Sequence, residues 1–408
     1  MANPIEGKNI VLGVTGSIAA YKAAELASKL TQQSAVINVI LSNSALEFIS
    51  PLTFQSVTGR KAYTDSDLWG GEGHVVHVQI GHSTNLLLIA PASANTIAKL
   101  AHGIADNLLT VTALAAKCPI VIAPAMDAGM YNHPATQENI KILKGRGVHF
   151  IGPEEGHLAS GLIGPGRMTE PSDIISEIRW LLSRNYPLNG RKIIVTAGGT
   201  REVLDPVRFI SNYSSGKQGY ALAQAALDFG GDVILISAPT SLKAPRGCEL
   251  VKVESADQML KAVLKEIDSA HALIMSAAVA DFRPVVIEKE KIKKEKGIDA
   301  IKLENTVDIL SEVSKAKKTR NLELKIVGFA AESQNLKANA QKKMNDKGMD
   351  IVVANDITDP QAGFAVNTNK VLLIFSDGST EQLPLLQKSD VAEKIIQHLA
   401  AWLVEGAR

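Results

Sequence analysis

Cysteine and aromatic residues are scarce in this sequence. Its 408 residues include two cysteines, Cys118 and Cys248, which cannot form a disulfide framework. We therefore expect a reducing, cytoplasmic setting, and no charged segment followed by an apolar one precedes the first predicted strand as a secretory signal would. Aromatic residues make up 4% of the chain, which disfavours a surface that stacks nucleic-acid bases.

Net charge and long hydrophobic runs are lacking as well. The chain has 43 Lys and Arg against 42 Asp and Glu, and the net charge of +1 creates no overall field for nucleic acid or an anionic membrane. The longest apolar runs, such as residues 86–92, are far shorter than the roughly 20 residues that span a bilayer. We therefore predict no nucleic-acid partner, no membrane insertion, and ligands bound in local sites.

The length and the pattern of the chain predict two domains. One hydrophobic core usually organises roughly 100–200 residues. Short β-branched runs alternate with longer Ala- and Leu-rich segments, which is typical of βαβ units, and this order begins again after the turn-forming residues 183–190. We predict an α/β protein with two Rossmann-like doubly wound domains, residues 1–188 and 189–408.

The sequence predicts where two helices of the first half begin and which face of the C-terminal helix is apolar. Residues 17–30 have apolar side chains at helical spacing, with Ser17 placed to cap the first turn, and residues 104–116 form another helix. The last helix begins near residue 389 and places Val391, Ile395 and Leu399 on one face. That face either docks onto the second sheet or forms a dimer seam.

Residues 13–19 lie where a predicted strand leads into a helix. Free backbone N–H groups at a helix N-terminus, beside small residues and hydroxyls, can hold a phosphate. A tight strand-to-helix turn also needs glycine for steric reasons alone, and the spacing differs from the G-x-G-x-x-G dinucleotide motif. Residues 90–96, 103–109 and 123–127 follow or support further strand ends, where ligands bind in open α/β sheets.

These four segments together resemble the flavin-dependent cysteine decarboxylases, a family of trimeric, doubly wound domains that hold FMN at subunit contacts. The resemblance covers nearly all of the first half. It implies FMN contacts from the strand ends: Gly13, Thr15, Gly16, Ser17, Ile18, Ser42, Pro91, Ser93 and Asn95. It also implies that His77 is the active-site histidine, which can move a proton near neutrality. A single histidine is more often an ordinary polar residue, and His74 and His82 lie close by.

Two positions depart from that family. Asp127, followed by Met130, replaces an asparagine whose amide holds the substrate carboxylate. An ionised Asp about 4 Å from a carboxylate would be repelled by roughly 1–4 kcal/mol, so Asp127 is either protonated or has another role. Ser160, in the glycine-rich flap 157–168, replaces a cysteine proton donor, and a hydroxyl is a far weaker acid than a thiol. Proton delivery is then slower or passes through water.

The second half contains a long polar loop, residues 198–217, after a predicted strand. Such loops in compact domains are usually functional. Its end, SSGKQ, is not a Walker motif, because no glycine precedes at the required spacing and Gln218 replaces the Ser or Thr that binds magnesium. The lysine-rich residues 288–296 are either a solvated loop or mobile cations that neutralise a triphosphate.

The whole chain resembles the bacterial family that joins phosphopantothenoylcysteine decarboxylase to phosphopantothenate–cysteine ligase in coenzyme A synthesis. The resemblance implies that phosphopantothenate and cysteine are joined with CTP and Mg²⁺ through an acyl-cytidylate, before FMN-dependent decarboxylation. Asn212 would handle that intermediate and Lys291 would form it. The implied CTP contacts are Ser276, Ala277, Asp281, Lys291, Asp308, Ile309, Phe329, Lys343 and Lys347. A homo-oligomer is also implied, with a trimeric first domain and a dimeric ligase domain that combine into a dodecamer.

Two other hypotheses remain at this point. The first domain could be a flavin-binding regulatory module with weakened chemistry, because of Ser160 and Asp127, beside an active ligase. The presence of His77 and the flap argues against this. A two-domain nicotinamide dehydrogenase is disfavoured, because neither half has the dinucleotide motif with its downstream acid.

Overall fold

The computed structural model describes residues 3–69, 76–184, 186–293, 300–332, 336–356 and 366–405. The chain divides into two compact units, Asn3–Leu182 and Ser183–Arg408. Each unit contains its own parallel sheet with helices packed on it, so the predicted α/β class is confirmed.

The first unit is built on a parallel sheet. Its strands are β1 (Asn9–Val14), β2 (Val36–Leu41), β3 (Ala62–Tyr63), β4 (Leu86–Ala92), β5 (Ile120–Pro124) and β6 (His149–Phe150). Within the described residues these six strands run in the order β3-β2-β1-β4-β5-β6, and every pairing is parallel. The order reverses between β1 and β4, and ligands bind at such a reversal in doubly wound sheets.

Helices cover both faces of this sheet. They are α1 (Ala20–Gln32), α2 (Asn43–Leu46), α3 (Pro51–Thr58), α4 (Val76–Ser83), α5 (Ala94–His102), α6 (Leu108–Ala115), α7 (Ala128–Asn132), α8 (Pro134–Gly145) and α9 (Pro171–Ser183). Leu26 of α1 and Ile178 of α9 pack on one face, and Ile97 of α5 and Leu108 of α6 pack on the other. A hairpin of β7 (Glu154–His157) and β8 (Ile163–Arg167) contains the predicted flap.

Two predicted helix starts are wrong. Helix α1 begins at Ala20, and Ser17 does not cap it, because its Oγ accepts a hydrogen bond from the Ala19 N–H at 3.2 Å, before the helix. Helix α6 begins at Leu108, because the side chain of Asn107 accepts the Thr110 N–H at 2.9 Å and caps the helix there.

The second unit repeats the architecture. Its strands are β9 (Lys192–Ala197), β10 (Arg201–Val203), β11 (Phe209–Ser211), β12 (Asp232–Ser237), β13 (Glu249–Lys252), β14 (Ala272–Met275), β15 (Phe282–Pro284), β16 (Leu303–Asn305), β17 (Lys325–Glu332), β18 (Ile351–Asp356), β19 (Thr368–Asn369), β20 (Val371–Phe375), β21 (Thr380–Gln382) and β22 (Leu386–Gln387). Among the residues described, eight strands form one sheet in the order β13-β12-β9-β14-β17-β18-β20-β21. The first six are parallel, the last two pair antiparallel, and the order reverses between β9 and β14.

Among the described residues, the remaining strands of this unit form three two-stranded antiparallel sheets, β10–β11, β15–β16 and β19–β22, and β10–β11 is a hairpin. The helices of this unit are α10 (Lys217–Asp228), α11 (Ala256–Glu266), α12 (Ile309–Thr319), α13 (Leu336–Lys347) and α14 (Lys388–Glu405). In the part of the chain that the structure describes, no helix is long and apolar enough to cross a membrane.

The C-terminal helix α14 packs against α10 of its own unit. Its side chains Val391, Ile395 and Leu399 are fully buried, whereas Val404 is 40% exposed. Of the two interpretations of this apolar face, docking within the same unit is therefore the one found in the structure.

We predict that Leu399→Ala lowers the free energy of unfolding of the second unit by about 2–5 kcal/mol, because it leaves a cavity between α14 and α10. Urea unfolding followed by circular dichroism measures this change. Val404→Ala on the same helix is the matched control, and equal effects of the two substitutions would contradict the docking.

Candidate active sites

Thr15 joins the carboxyl ends of β1 and β4, where the first sheet reverses its order. Its Oγ1 donates a hydrogen bond to the Pro91 carbonyl at 2.8 Å and accepts one from the Ser93 N–H at 2.9 Å. The side chain is 1% exposed. Because the hydroxyl is used both as donor and as acceptor, it fixes the two predicted flavin-binding loops relative to each other.

The turn after β1 lies close against its neighbours. A Cβ atom on Gly16 would lie 2.6 Å from Ser44 Cβ, and one on Gly13 would lie 2.5 Å from Leu109 Cδ1. Packing alone thus explains both glycines. Ser42, beside Ser44, has a buried Oγ that finds no hydrogen-bond partner among the described residues.

An unpaired buried hydroxyl costs about 1–3 kcal/mol, so the Ser42 Oγ fits a site that a polar ligand completes. The main-chain N–H of Ser42 donates to the Val14 carbonyl at 3.0 Å, which places Ser42 at the same sheet edge as the turn after β1. Asn95 is exposed on the first turn of α5, and Ile18 is 63% exposed despite being apolar. These residues fit the flavin contacts that the sequence predicts.

The two residues that depart from the decarboxylase pattern contact each other. Ser160 Oγ donates a hydrogen bond to Asp127 Oδ2 at 2.7 Å, and the Gly129 N–H donates to Asp127 Oδ1 at 2.8 Å. The Ser160 hydrogen bond, and then that of Gly129, hold the pKa of Asp127 below its ordinary value. Asp127 is therefore ionised at neutral pH, and of the two interpretations the structure favours another role over protonation.

A cavity of about 260 Å³ lies beside this pair. Ser17 and Ile18 from the turn after β1 line it together with Asp127 and Ser160. Four of the first-domain candidates thus meet in one place, where the flap lies beside the turn that precedes α1. Met130 is exposed on α7 and does not belong to this lining within the described residues.

His77 lies on the first turn of α4, apart from this cavity. Its side chain is half-buried, and its Nδ1 has no hydrogen-bond partner in the described ranges of the chain. His82 is exposed further along the same helix, and His74 lies outside the described residues. Within the described residues of one copy, His77 therefore does not line the cavity beside Ser160.

In the second unit, Thr196 holds the loop after β14 much as Thr15 holds the loop after β4. Its Oγ1 accepts hydrogen bonds from the N–H groups of Ser276 and Ala277, both at 3.1 Å. Thr200 adds a bond from the Ala280 N–H at 2.9 Å. The backbone of this loop is thereby fixed at the point where the second sheet reverses its order.

A cavity of about 790 Å³ opens at that edge, within the size range of ligand sites. It is lined by nearly all the residues predicted for the ligase: Asn212, Ser276, Ala277, Asp281, Asp308, Ile309, Phe329, Lys343 and Lys347. Lys291 is exposed and, among the described residues, does not belong to the lining.

Several of these side chains are held in place by their neighbours. Asn212 Nδ2 donates to the carbonyls of Ala278 and Val279, each at 3.2 Å. Lys347 Nζ lies 2.8 Å from Asp308 Oδ2. Burial, the largest effect, raises the pKa of Asp308, but the hydrogen bond and charge of Lys347 and the hydrogen bonds of Ser311 together outweigh it, and the net pKa is lowered. Ser276 Oγ is buried and unpaired among the described residues, which again fits a site that a ligand completes.

Sequence reasoning missed two lysines of this cavity, Lys217 and Lys388. Lys388 is 7% exposed, and its burial, and then the charge of Lys217, lower its pKa. Lys217 belongs to the SSGKQ segment, so its position was a usable signal. Lys388 begins α14, far along the chain, and its sequence neighbourhood shows no link to the loop. The cavity thus has more positive charge than the motifs indicate.

No group of three or more His, Cys, Asp or Glu side chains with the arrangement of a metal site occurs in the described part of the chain.

Comparison with known proteins identifies the families of the two domains. The protein-family model "Flavoprotein" matches residues 2–183, and the model "DNA/pantothenate metabolism flavoprotein C-terminal domain" matches residues 188–403. The chain is therefore a flavoprotein joined to a pantothenate-metabolism domain.

Relatives over the full length define the family more closely. The chain is 45% identical to the coenzyme A biosynthesis bifunctional protein CoaBC of Bacillus subtilis (strain 168) over 400 residues, which are 97% of this chain and 98% of that protein. It is 41% identical to the CoaBC of Mycobacterium tuberculosis (strain ATCC 25618 / H37Rv) over 408 residues, 97% of each. The solved C-terminal domain of a CoaBC protein matches at 39% identity, covering 54% of this chain and 100% of that domain, with a TM-score of 0.47.

The chain belongs to the family of bifunctional coenzyme A biosynthesis proteins. It is a two-activity enzyme, with a phosphopantothenoylcysteine decarboxylase domain followed by a phosphopantothenate–cysteine ligase domain. The family prediction is confirmed, and this family membership contradicts the nicotinamide dehydrogenase hypothesis.

We predict that Ser160→Ala accelerates backbone amide hydrogen exchange in the flap, residues 157–163, because the bond to Asp127 is lost. Ser176→Ala is the control, since the Ser176 hydroxyl bonds to its own helix at Ser172. Mass spectrometry of peptic fragments measures both variants, and equal exchange in the two would contradict the role of the bond.

The same bond has a defined pH dependence. The pKa of Asp127 is lowered from 3.8, so the carboxylate accepts the Ser160 bond fully above that value and loses it only as the pH falls through the lowered pKa. Flap protection, corrected for intrinsic exchange chemistry, should therefore not change between about pH 5 and 8. A titration of flap protection inside that window would show that Asp127 is protonated.

Proposed function

We propose that residues 189–408 join cysteine to phosphopantothenate with CTP and Mg²⁺, and that residues 1–188 decarboxylate the product with FMN to phosphopantetheine. The cavity of the second unit is the observation that carries the ligase assignment, because it combines four lysines with the fixed loop after β14. The turn after β1 and the unpaired Ser42 hydroxyl support FMN in the first domain.

In the first domain we assign the phosphate of FMN to the backbone of residues 15–18. Donors at a helix N-terminus and the helix dipole favour an anion there. Thr15 fixes this turn to the loop at Pro91 and Ser93, and the Ser42 hydroxyl is a further donor. Bound FMN would supply a reversible two-electron acceptor for the cysteinyl group, so that loss of CO2 would have no net redox change.

The Asp127–Ser160 pair then has a different task from the amide and thiol it replaces. An ionised Asp127 repels a substrate carboxylate, and a Ser160 hydroxyl that donates to it is a poor acid. We assign the pair to closing the flap over the cavity, which excludes water. Proton movement falls to His77, whose Nδ1 is unpaired among the described residues.

We assign this chemistry to an assembly of copies, because His77 does not line the cavity beside the flap among the described residues of one copy. Exposed apolar side chains of the first unit support contacts between copies: Ile18 is 63%, Tyr21 64% and Leu52 66% exposed. We therefore propose the trimeric first domain that the family resemblance implies.

The ligase domain has a second apolar surface suited to self-association. Val286 and Ile287, which follow β15, are each more than 60% exposed, and Phe282 of β15 is 51% exposed. A dimer formed through this surface, combined with the trimer, would give the dodecamer. Burial in such an assembly explains why both domains expose apolar residues.

In the ligase reaction, the phosphopantothenate carboxylate attacks the α-phosphorus of CTP and displaces pyrophosphate, leaving an acyl-cytidylate. The cysteine amine then attacks the acyl carbon, CMP leaves, and an amide forms. Lys343 and Lys347 lie one turn apart on α13 and, with Lys217 and Lys388, can neutralise the phosphates. Asn212 bonds to the loop after β14, and we assign it to handling the acyl-cytidylate. Lys291 assists the formation of that intermediate.

The reaction is tested with the full-length protein, phosphopantothenate, cysteine, Mg²⁺ and either CTP or ATP, with pyrophosphate and CO2 followed separately. We expect both products with CTP, and purified protein that is yellow from FMN. Pyrophosphate without CO2 would instead support a regulatory flavin domain beside an active ligase, and faster turnover with ATP would contradict the choice of nucleotide.

Reciprocal variants assign the two activities to their domains. His77→Asn should abolish CO2 release and leave pyrophosphate formation intact, because the proton-moving group is lost only from the first site. Lys291→Gln should abolish pyrophosphate formation and leave CO2 release intact when preformed phosphopantothenoylcysteine is the decarboxylase substrate. His82→Asn on the same helix is the control for His77, and a loss of CO2 release in that variant would show that the wrong histidine had been chosen.

A further inference from the structure

Asp205 lies between β10 and β11 and has a buried carboxylate with a full set of donors. Asp205 is 1% exposed. Its Oδ1 accepts the N–H groups of Val207 at 2.8 Å and Arg208 at 2.7 Å. Its Oδ2 accepts the Ile292 N–H at 3.2 Å and Arg208 Nη1 at 3.0 Å.

The carboxylate is ionised. Burial raises the pKa of Asp205, but the N–H donors of Val207, Ile292 and Arg208, together with the guanidinium charge, outweigh it and the net pKa is lowered. A buried charge that is paired in this way resists displacement, because removing its partners would leave it unsolvated.

One of these donors belongs to the segment that contains Lys291. The Ile292 N–H reaches Asp205, and the Ile292 carbonyl accepts Arg208 Nη1 at 3.3 Å. Four residues earlier, the Glu288 N–H donates to the Leu204 carbonyl at 3.0 Å. Residues 288–292, hereafter the lysine segment, are thus tied at both ends to the β10–β11 hairpin.

The same hairpin leads into the nucleotide cavity. Strand β11 ends at Ser211, and Asn212, which follows it, lines the cavity and bonds to the loop after β14. The hairpin therefore connects a residue of the cavity wall with the segment that contains Lys291, and Asp205 contacts that segment together with Leu204 and Arg208.

We propose that Asp205 is a positioning residue for Lys291. The proposal rests on the role of Lys291 in the proposed ligase reaction. Asp205 itself does not belong to the cavity lining among the described residues. By fixing the peptide next to Lys291 with a charge-assisted hydrogen bond, it limits the region that the ammonium group can reach on its flexible stem.

The chemistry of the carboxylate explains why an asparagine would not serve. The bonds of Oδ1 to the Val207 and Arg208 N–H groups form an Asx turn, which an asparagine side chain also makes. The two bonds to Oδ2 require a second acceptor oxygen. At that position asparagine has an NH2 group, which donates hydrogen bonds and does not accept them. Asp205→Asn therefore retains the turn and removes the bond to the Ile292 N–H beside Lys291, while the bond between Glu288 and Leu204 remains.

The test uses full-length Asp205→Asn with phosphopantothenate, cysteine, Mg²⁺ and CTP. We expect kcat for pyrophosphate formation to fall by about 10- to 100-fold, because a small misplacement of a catalytic group has costs of that size. KM for CTP should stay within about twofold, since the cavity is intact. Decarboxylation of preformed phosphopantothenoylcysteine should not change, and the Ile292 amide should exchange hydrogen faster.

Glu202→Gln is the matched control. Glu202 is also a buried carboxylate of this hairpin, on β10, but its Oε1 accepts the Ala256 N–H at 2.8 Å and anchors α11 instead. This variant should keep the kcat of pyrophosphate formation. An equal loss of kcat in Glu202→Gln would show a general structural effect of the hairpin and overturn the positioning role of Asp205.

Two further variants keep the proposal falsifiable. Ile292→Pro deletes the same hydrogen bond from the other side and leaves Asp205 and its turn intact, so it should reproduce the kcat loss even if Asp205→Asn folds poorly. In Lys291→Gln, adding Asp205→Asn should cause no further loss, whereas multiplied losses would show that Asp205 acts independently of Lys291.

The outcomes distinguish a failure of the proposed role of Lys291 from a failure of the positioning role of Asp205. Normal pyrophosphate formation in Lys291→Gln would refute the proposed role of Lys291, and with it this inference. An impaired Lys291→Gln beside unimpaired Asp205→Asn and Ile292→Pro would overturn the inference alone and leave the proposed ligase reaction standing.

Discussion

A buried threonine at the point where each sheet reverses its strand order is the constraint on which both sites depend. Thr15 bonds to Pro91 and Ser93 across the ends of β1 and β4, and Thr196 bonds to Ser276 and Ala277 across the ends of β9 and β14. Parallel strands of this topology diverge at the reversal and leave a crevice. In each sheet the hydroxyl holds the two sides of that crevice at a fixed separation, so the loops on both sides form one site.

Paired charges organise the surroundings of these crevices. The donors Ser160 and Gly129 lower the pKa of Asp127, and Lys347 and Ser311 lower that of Asp308 against the effect of its burial. In both places a protein donor occupies a carboxylate that could repel an anionic substrate. The near-zero net charge of the chain therefore hides a cavity lined by four lysines and two aspartates in the second unit and an anchored carboxylate in the first.

Much of the fold followed from the sequence, because it depends on local pattern. The alternation of β-branched runs with Ala- and Leu-rich segments predicted strands such as β1, β9 and β12, because such runs suit the buried strands of a parallel sheet. The starts of α1 and α6 were wrong because several polar residues near each start could cap it. Only the backbone path decides whether Ser17 or Asn107 is in a capping position.

By itself, the sequence determined the α/β class, the family, and nine of the 25 residues that line the ligase cavity, because these rest on short motifs at strand ends. The tertiary structure alone decided which distant groups meet: Asp127 with Ser160, Lys217 with Lys388, and Asp205 with the lysine segment. These contacts join residues far apart in the chain, and their charges and hydrogen bonds arise only once the sheets have brought the loops together. For that reason the departure at Ser160 looked like a missing acid in the sequence and is a partner for a carboxylate in the fold.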